Sequence, residues 1–165
     1  MNVQTKIAWP RVFILGALAL VVLMPHPEPL PASTDACGLL KAVDVAPLLG
    51  GTPANTPSPE GMVCTWKGAD AKRKLLLITY KNKGVPGEFA FMGARQGAQA
   101  DEGEKLSDET GIGDKAFSVQ TSFGGVFIAL KQGRMIQLQY WTGAPGTSQD
   151  IAALRPVVKK AVAAF

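Results

Sequence analysis

Along residues 134–141 apolar and polar side chains alternate: Ile136, Leu138 and Tyr140 fall on one side, Gln137 and Gln139 on the other. A period of two predicts a strand with one covered and one wetter face. The almost wholly apolar run 123–130 predicts its partner. The two are joined through Lys131, Gln132 and Gly133, a compact turn with glycine where the backbone needs a positive φ. Further strands are predicted at 62–67, where Met62, Cys64 and Trp66 share a face, at 73–81, apolar on both faces near its middle, and at 115–120. A turn at Gly68 to Ala71 closes the first two of these into a hairpin.

Helical spacing occurs in three places. Leu39, Leu40, Val43, Leu48 and Leu49 follow it, but Pro47 lacks the N–H that a helix interior needs. The expectation is therefore a helical turn from Cys37, a break, and a second turn. Asp44 would cap that second turn, Pro47 would sit early in it, and Gly50 would close it. Residues 87–99 predict a weak helix, with Phe89, Phe91 and Met92 for apolar bulk and Gly93 and Gly97 as costs of up to about 1 kcal/mol each. Thr147 or Ser148 caps a last helix with Asp150 in its first turn, and Leu154, Val158, Val162 and Phe165 form its apolar stripe. Pro156 should kink it. Residues 51–61 read as an exposed loop and 100–110 as a solvated acidic connection. The order α-β-β-α-β-β-β-α is that of an α+β domain: a mostly antiparallel sheet of about five strands with helices packed on one face.

The N-terminal pattern differs. Lys6 and Arg11 precede an unbroken apolar run over residues 12–24, followed by a Pro-rich stretch and small polar residues before Cys37. That sequence of regions reads as an export signal. The run is shorter than the roughly 20 residues a spanning helix needs. Residues 1–36 are thus expected to be signal peptide and Pro-rich leader, and 37–165 a single exported domain, periplasmic or extracellular. Cleavage after Ala36 or after Ala32 both fit. A lipid anchor on Cys37 would ask for a branched apolar residue three positions earlier and small ones after it, and Asp35 fits that poorly. Retention through residues 12–24 as an uncleaved membrane anchor is the other possibility.

Composition then narrows the chemistry. The net charge is +4, and the leader carries as many acids as cations, so the remainder is only mildly basic. The chain's one histidine, His26, lies in the leader. A processed protein has no imidazole, which closes His-based acid–base, nucleophilic and metal chemistry. The two cysteines, Cys37 and Cys64, read as one disulfide in an exported protein. Two thiolates alone do not make a structural zinc site.

Gly111-Ile112-Gly113-Asp114 is motif-like, but a strand rather than a helix follows it, so a turn braced by Asp114 is favoured over a phosphate loop. Lys67, Lys72, Arg73, Lys74, Lys81 and Lys83 cluster about the first hairpin. They read first as solvated ends guarding sheet edges, and second as a contact for anionic headgroups or acidic polymers. Asp101, Glu102, Glu104, Asp108 and Glu109 lack the register of a calcium loop. Trp66 and Tyr140 belong to the core by alternation. Trp141, beside the loop that ends at Gly146, is the better candidate for an exposed anchor.

Cys37 with Leu39 and Leu40, the helix end Leu48-Leu49-Gly50, Cys64 ahead of Trp66, and the run Gly111-Ile112-Gly113-Asp114-Lys115-Ala116-Phe117 together resemble a group of small bacterial exported domains. Many of that group are lipoproteins, and the layout is similar to the actinobacterial secreted lipoprotein domains. The resemblance implies an α+β domain with a Cys37–Cys64 bridge and no catalytic residues to carry over. The chain departs from the group at Lys41 and Asp44, where a Thr and a Glu are common, and in lacking the lipobox. The expectation is a non-catalytic module of the cell envelope that binds a protein, polymer or small ligand through Gln137, Gln139 and Trp141. No cofactor, metal or nucleic acid is expected. The rival is a carboxylate-dependent envelope hydrolase, which would lack both a histidine and a GxSxG elbow; a structural envelope component is the third reading.

Overall fold

A computed structural model describes residues 35–80 and 86–165. Residues 1–34 of the leader, with His26 and the apolar run 12–24, lie outside the described residues, as do Lys81 and Lys83. The chain forms a 3-10 turn (Ala36–Gly38), α1 (Ala42–Leu49), β1 (Ala54–Pro57), β2 (Val63–Lys67), β3 (Lys74–Tyr80), α2 (Gly87–Ala100), β4 (Lys105–Glu109), β5 (Lys115–Thr121), β6 (Gly124–Lys131), β7 (Arg134–Trp141) and α3 (Ser148–Ala164). The α+β class is as expected.

The sheet has seven strands, not five, in the order β1-β2-β3-β7-β6-β5-β4, antiparallel throughout. Both extra strands are edges, and both lie in segments expected to be loops. An edge strand pairs on one side only, so it can be short, polar and tolerant of proline. β1 is Ala-Asn-Thr-Pro and wholly exposed, while β4 has Leu106 as its single apolar residue. Neither carries a periodicity that sequence reading detects.

Cross-strand partners share a face, so the register fixes two surfaces. Cys64 and Trp66 face Leu77 and Leu75, which face Leu138 and Tyr140. With Phe127, Ala129 and Ile136 they form the main core against α1 and α3. The opposite surface carries Phe117, Val119, Val126, Ile128, Leu130 and Met135, and α2 packs there through Phe91. Helices therefore cover both faces, contrary to the one-sided arrangement expected. Of the three apolar residues that predicted α2, only Phe91 is buried; Phe89 and Met92 point outward. The helix approaches through the small stripe Ala90, Ala94 and Ala98, at the four-residue spacing of one helix face. Phe91 meets Phe117 edge-on at 5.2 Å, and Arg95 forks onto Asp108 of β4. That ion pair holds the exposed Asp108 carboxyl below its ordinary pKa.

α1 starts earlier than expected. Lys41 is its N-cap and Asp44 its third residue, accepting from the Lys41 N–H at 2.9 Å. Pro47 thus sits inside the helix, which forgoes one hydrogen bond and still seats Val45, Leu48 and Leu49 in the core. Tyr140 donates its hydroxyl to the Leu48 carbonyl at 2.9 Å, joining β7 to α1. α3 is capped by Thr147 in a reciprocal pair with Asp150. It runs through Pro156 without a break and buries Leu154, Val158 and Val162. Arg155 grips Glu109 with two bonds of 2.9 Å, and Ser118 donates to the same carboxylate at 2.8 Å. Lys131 donates to the Val162 and Ala163 carbonyls at the end of α3, where a cation suits the helix dipole.

The Gly111–Asp114 run is a turn. The Asp114 N–H donates to Leu130 O at 2.8 Å, and its carboxylate accepts from Gln132 N at 2.6 Å, bracing the β6–β7 turn. Gln132 and Gly133 both have positive φ there. Gly113, at φ +58°, has no room for a Cβ, which would fall 2.4 Å from Leu130 O.

Cys37 and Cys64 form a disulfide across a sequence separation of 27, tying the 3-10 turn to β2. Closing such a loop restricts the unfolded chain by about 3.5 kcal/mol in the entropic account. Replacing both cysteines by alanine is expected to lower unfolding free energy by about 2–5 kcal/mol in denaturant melts. Gly93→Ala should act oppositely: the site is exposed with open space at Cβ, so a gain of up to about 1 kcal/mol is expected.

Candidate functional site

The second face of the sheet is only half covered. α2 packs over β7 and β6 and touches β5 through Phe91 on Phe117. Beyond it, β3, β2 and β1 present on this face a lattice of side chains with no helix among the described residues packed on them, bordered by Gln137, Gln139 and Trp141 of β7. Its rows follow from the register: Gln137 beside Ile78 and Val63, Gln139 beside Leu76 and Thr65, and Trp141 beside Lys74 and Lys67. All but the exposed Lys67 are half-buried.

Gln137, Gln139 and Trp141 share this face because they are alternate residues of one strand. They differ in their surroundings. Gln137 accepts a 2.8 Å hydrogen bond from the Tyr80 hydroxyl through Oε1. Trp141 is stacked on Phe123, with ring centroids 4.9 Å apart and planes at 21°, and the Lys74 ammonium lies 4.4 Å from its ring centre. Trp141 is thus less a free anchor than part of a Phe123–Trp141–Lys74 stack. Sequence reading missed Phe123 and Lys74 as its neighbours. The alternation of 73–81 could have shown Lys74 on the Leu76–Ile78 face, but Phe123 reaches Trp141 only through the β6–β7 register.

Between α2 and β7 runs a crevice of about 310 Å³, walled by Ala94, Ala98, Gln137 and Gln139 with Val126 and Ile128 in its floor. Asp101, Glu104 and Phe123 stand at one end. Burial and the neighbouring Asp101 charge push the Glu104 carboxyl above its ordinary pKa. Both acids come from one turn, with the Glu104 N–H donating to Asp101 O at 3.3 Å. They therefore occupy the same end of the crevice rather than opposite walls. Among the described residues no group of acids, cysteines or histidines is placed to hold a metal ion, and no helix is long and apolar enough to cross a membrane.

No family model, no curated protein and no solved structure matches this chain.

The chain's two tyrosines bracket the sheet: Tyr80 on the open face and Tyr140 in the core. Desolvation pushes both phenols above their ordinary pKa. An ultraviolet titration of the native protein should show no phenolate step at the ordinary value near 10 and a later step above it. The unfolded chain should titrate at the ordinary value. Because the folded state holds these protons more tightly, stability should begin to fall as pH rises past the unfolded value. A native step at the ordinary value would show the phenols to be solvated.

Proposed function

We propose that the chain is a non-catalytic exported module that binds its partner or ligand on the uncovered half of the second sheet face. The observation that carries this reading is the lattice of Val63, Thr65, Leu76, Ile78, Gln137 and Gln139. Leu76 and Ile78 are apolar residues of β3, a strand paired on both sides, and are left only half-buried with no helix over them on this face. A patch of this kind, apolar and rimmed by polar groups, is the ordinary mark of an interaction surface.

The disulfide supports an oxidising compartment, since such bonds persist outside the reducing cytoplasm. It also occupies the Cys37 sulfur, which a lipid thioether would need. The resemblance to bacterial exported domains agrees with this reading, without the lipid anchor many of them carry. The fold favours the earlier of the two cleavage points. Ala36 is fully buried and its N–H donates to Gly61 O at 2.8 Å, while the Asp35 carboxylate accepts from Cys37 N at 3.2 Å. A chain cut after Ala36 would lose both contacts and a buried methyl, at a cost of about 1–3 kcal/mol. Cleavage after Ala32 keeps them.

The hydrolase reading has one supporting observation, the raised Glu104 beside Asp101. Two acids at one end of a crevice do not provide the facing pair that a glycosidase needs.

Mass spectrometry of the exported protein is expected to find an N-terminus upstream of Asp35 and a two-hydrogen mass gain on reduction. An intact leader or an N-terminal Cys37 would overturn the processing argument. For the binding face, a photo-crosslinking residue in place of Gln139 should give a defined adduct in the native envelope, and the same residue at Ala152 on the outer side of α3 should not. Equal labelling at the two positions, or none at either, would reject the face.

A further inference from the structure

One row of the open face combines features that the others lack. Lys67 and Lys74 are directly opposed on β2 and β3, and like charges in that position work against pairing of the strands. Neither has a carboxylate partner among the described residues. Lys72 and Arg73 flank them in the hairpin loop, where Asp70 spends its carboxylate on the Lys72 N–H and a loose 3.9 Å contact with Arg73. Trp141, next in the row, holds Lys74 by its ring face, and Gly124 beyond it adds no side chain. A single acid is thus set against four cations, and the two on the sheet face are kept in register at a cost to the fold.

We infer that this row is the anion-recognising part of the proposed binding face, and that its ligand is an acidic polysaccharide lying across β2, β3 and β7. The inference rests on that face being the binding surface. Lys67 and Lys74 would meet carboxylate or phosphate groups of the polymer. The adjoining row, Thr65 and Gln139, offers a hydroxyl and an amide to its sugar hydroxyls. Neighbouring strands lie about 4.8 Å apart, so Lys67 and Lys74 are one strand spacing apart and Thr65 and Gln139 two, with Leu76 between them. A bilayer fits the same charges less well. The large apolar residues exposed among the described residues are Val43, Tyr80, Phe89 and Met92, and none belongs to this row or its loops.

The test uses the mature protein with alginate, a carboxylated polysaccharide, and dextran, a neutral one, as probes. Alginate should bind with an affinity that falls as salt rises, and dextran should not bind. The double variant Lys67→Gln and Lys74→Gln should weaken alginate binding by about tenfold or more. The same variant should melt at least about a degree higher, because it relieves the opposed charges. Lys159→Gln, on α3, should leave both quantities unchanged. Equal alginate binding by the double variant and the parent would overturn the inference. So would a lower melting temperature, which would make the lysines supports of the fold, or capture by phosphatidylglycerol vesicles without capture by alginate. A Gln139 adduct obtained while alginate fails to bind would reject this ligand class and leave the face standing. Failure of both would remove the face as well.

Discussion

The structure depends on how β7 divides its side chains. Ile136, Leu138 and Tyr140 are sealed against α1 and α3, and the Tyr140 hydroxyl fixes the register by reaching the Leu48 carbonyl. A slip of one residue would exchange every side chain between faces, placing glutamines in the core and leucine and tyrosine outside. Since β7 pairs with β3 on one side and β6 on the other, its register is passed to the whole sheet. The second face is therefore a consequence of the first: Gln137, Gln139 and Trp141 stand together because the core demands their neighbours.

What that second face becomes is decided by α2. Its inward side is made of alanines and one phenylalanine, so it sits close to β6 and β7 and spans little of the sheet. The Phe91–Phe117 contact and the Arg95–Asp108 pair tie it to β5 and β4. β2 and β3 are left without a helix on that side. The disulfide and the Arg155–Glu109 clasp secure the other face, so the uncovered half rests on a backing fixed at both ends. A rigid backing beneath an open face lowers the ordering cost of binding.

Sequence reading located the centre of this sheet and missed its margins, for a physical reason. β6, β7 and α3 are buried on one or both sides, and burial is what imprints a hydrophobic period on a sequence. β1 and β4 bury almost nothing and leave no such imprint. α2 is legible over 87–99, but of the apolar bulk at Phe89, Phe91 and Met92 only Phe91 turns inward, and the close approach is made by Ala90, Ala94 and Ala98, whose small side chains leave little hydrophobic signal. The candidate residues Gln137, Gln139 and Trp141 were placed by alternation alone. Their setting depends on long-range register: Tyr80 on Gln137, Phe123 and Lys74 on Trp141. The apolar character of Leu76 and Ile78 on the face away from the main core was the one local sign that β3 has a second surface to account for.

If the uncovered half of the second face is a binding surface, it is occupied in the protein's own setting. Hydroxyl-radical footprinting, read by mass spectrometry on the purified protein and on the protein in its native envelope, measures this directly. Leu76, Ile78 and Trp141 are expected to be oxidised in the purified protein and protected in the envelope. Val43, which is 72 % exposed on α1, should be oxidised equally in both. Equal oxidation of Leu76, Ile78 and Trp141 in the two settings would contradict it.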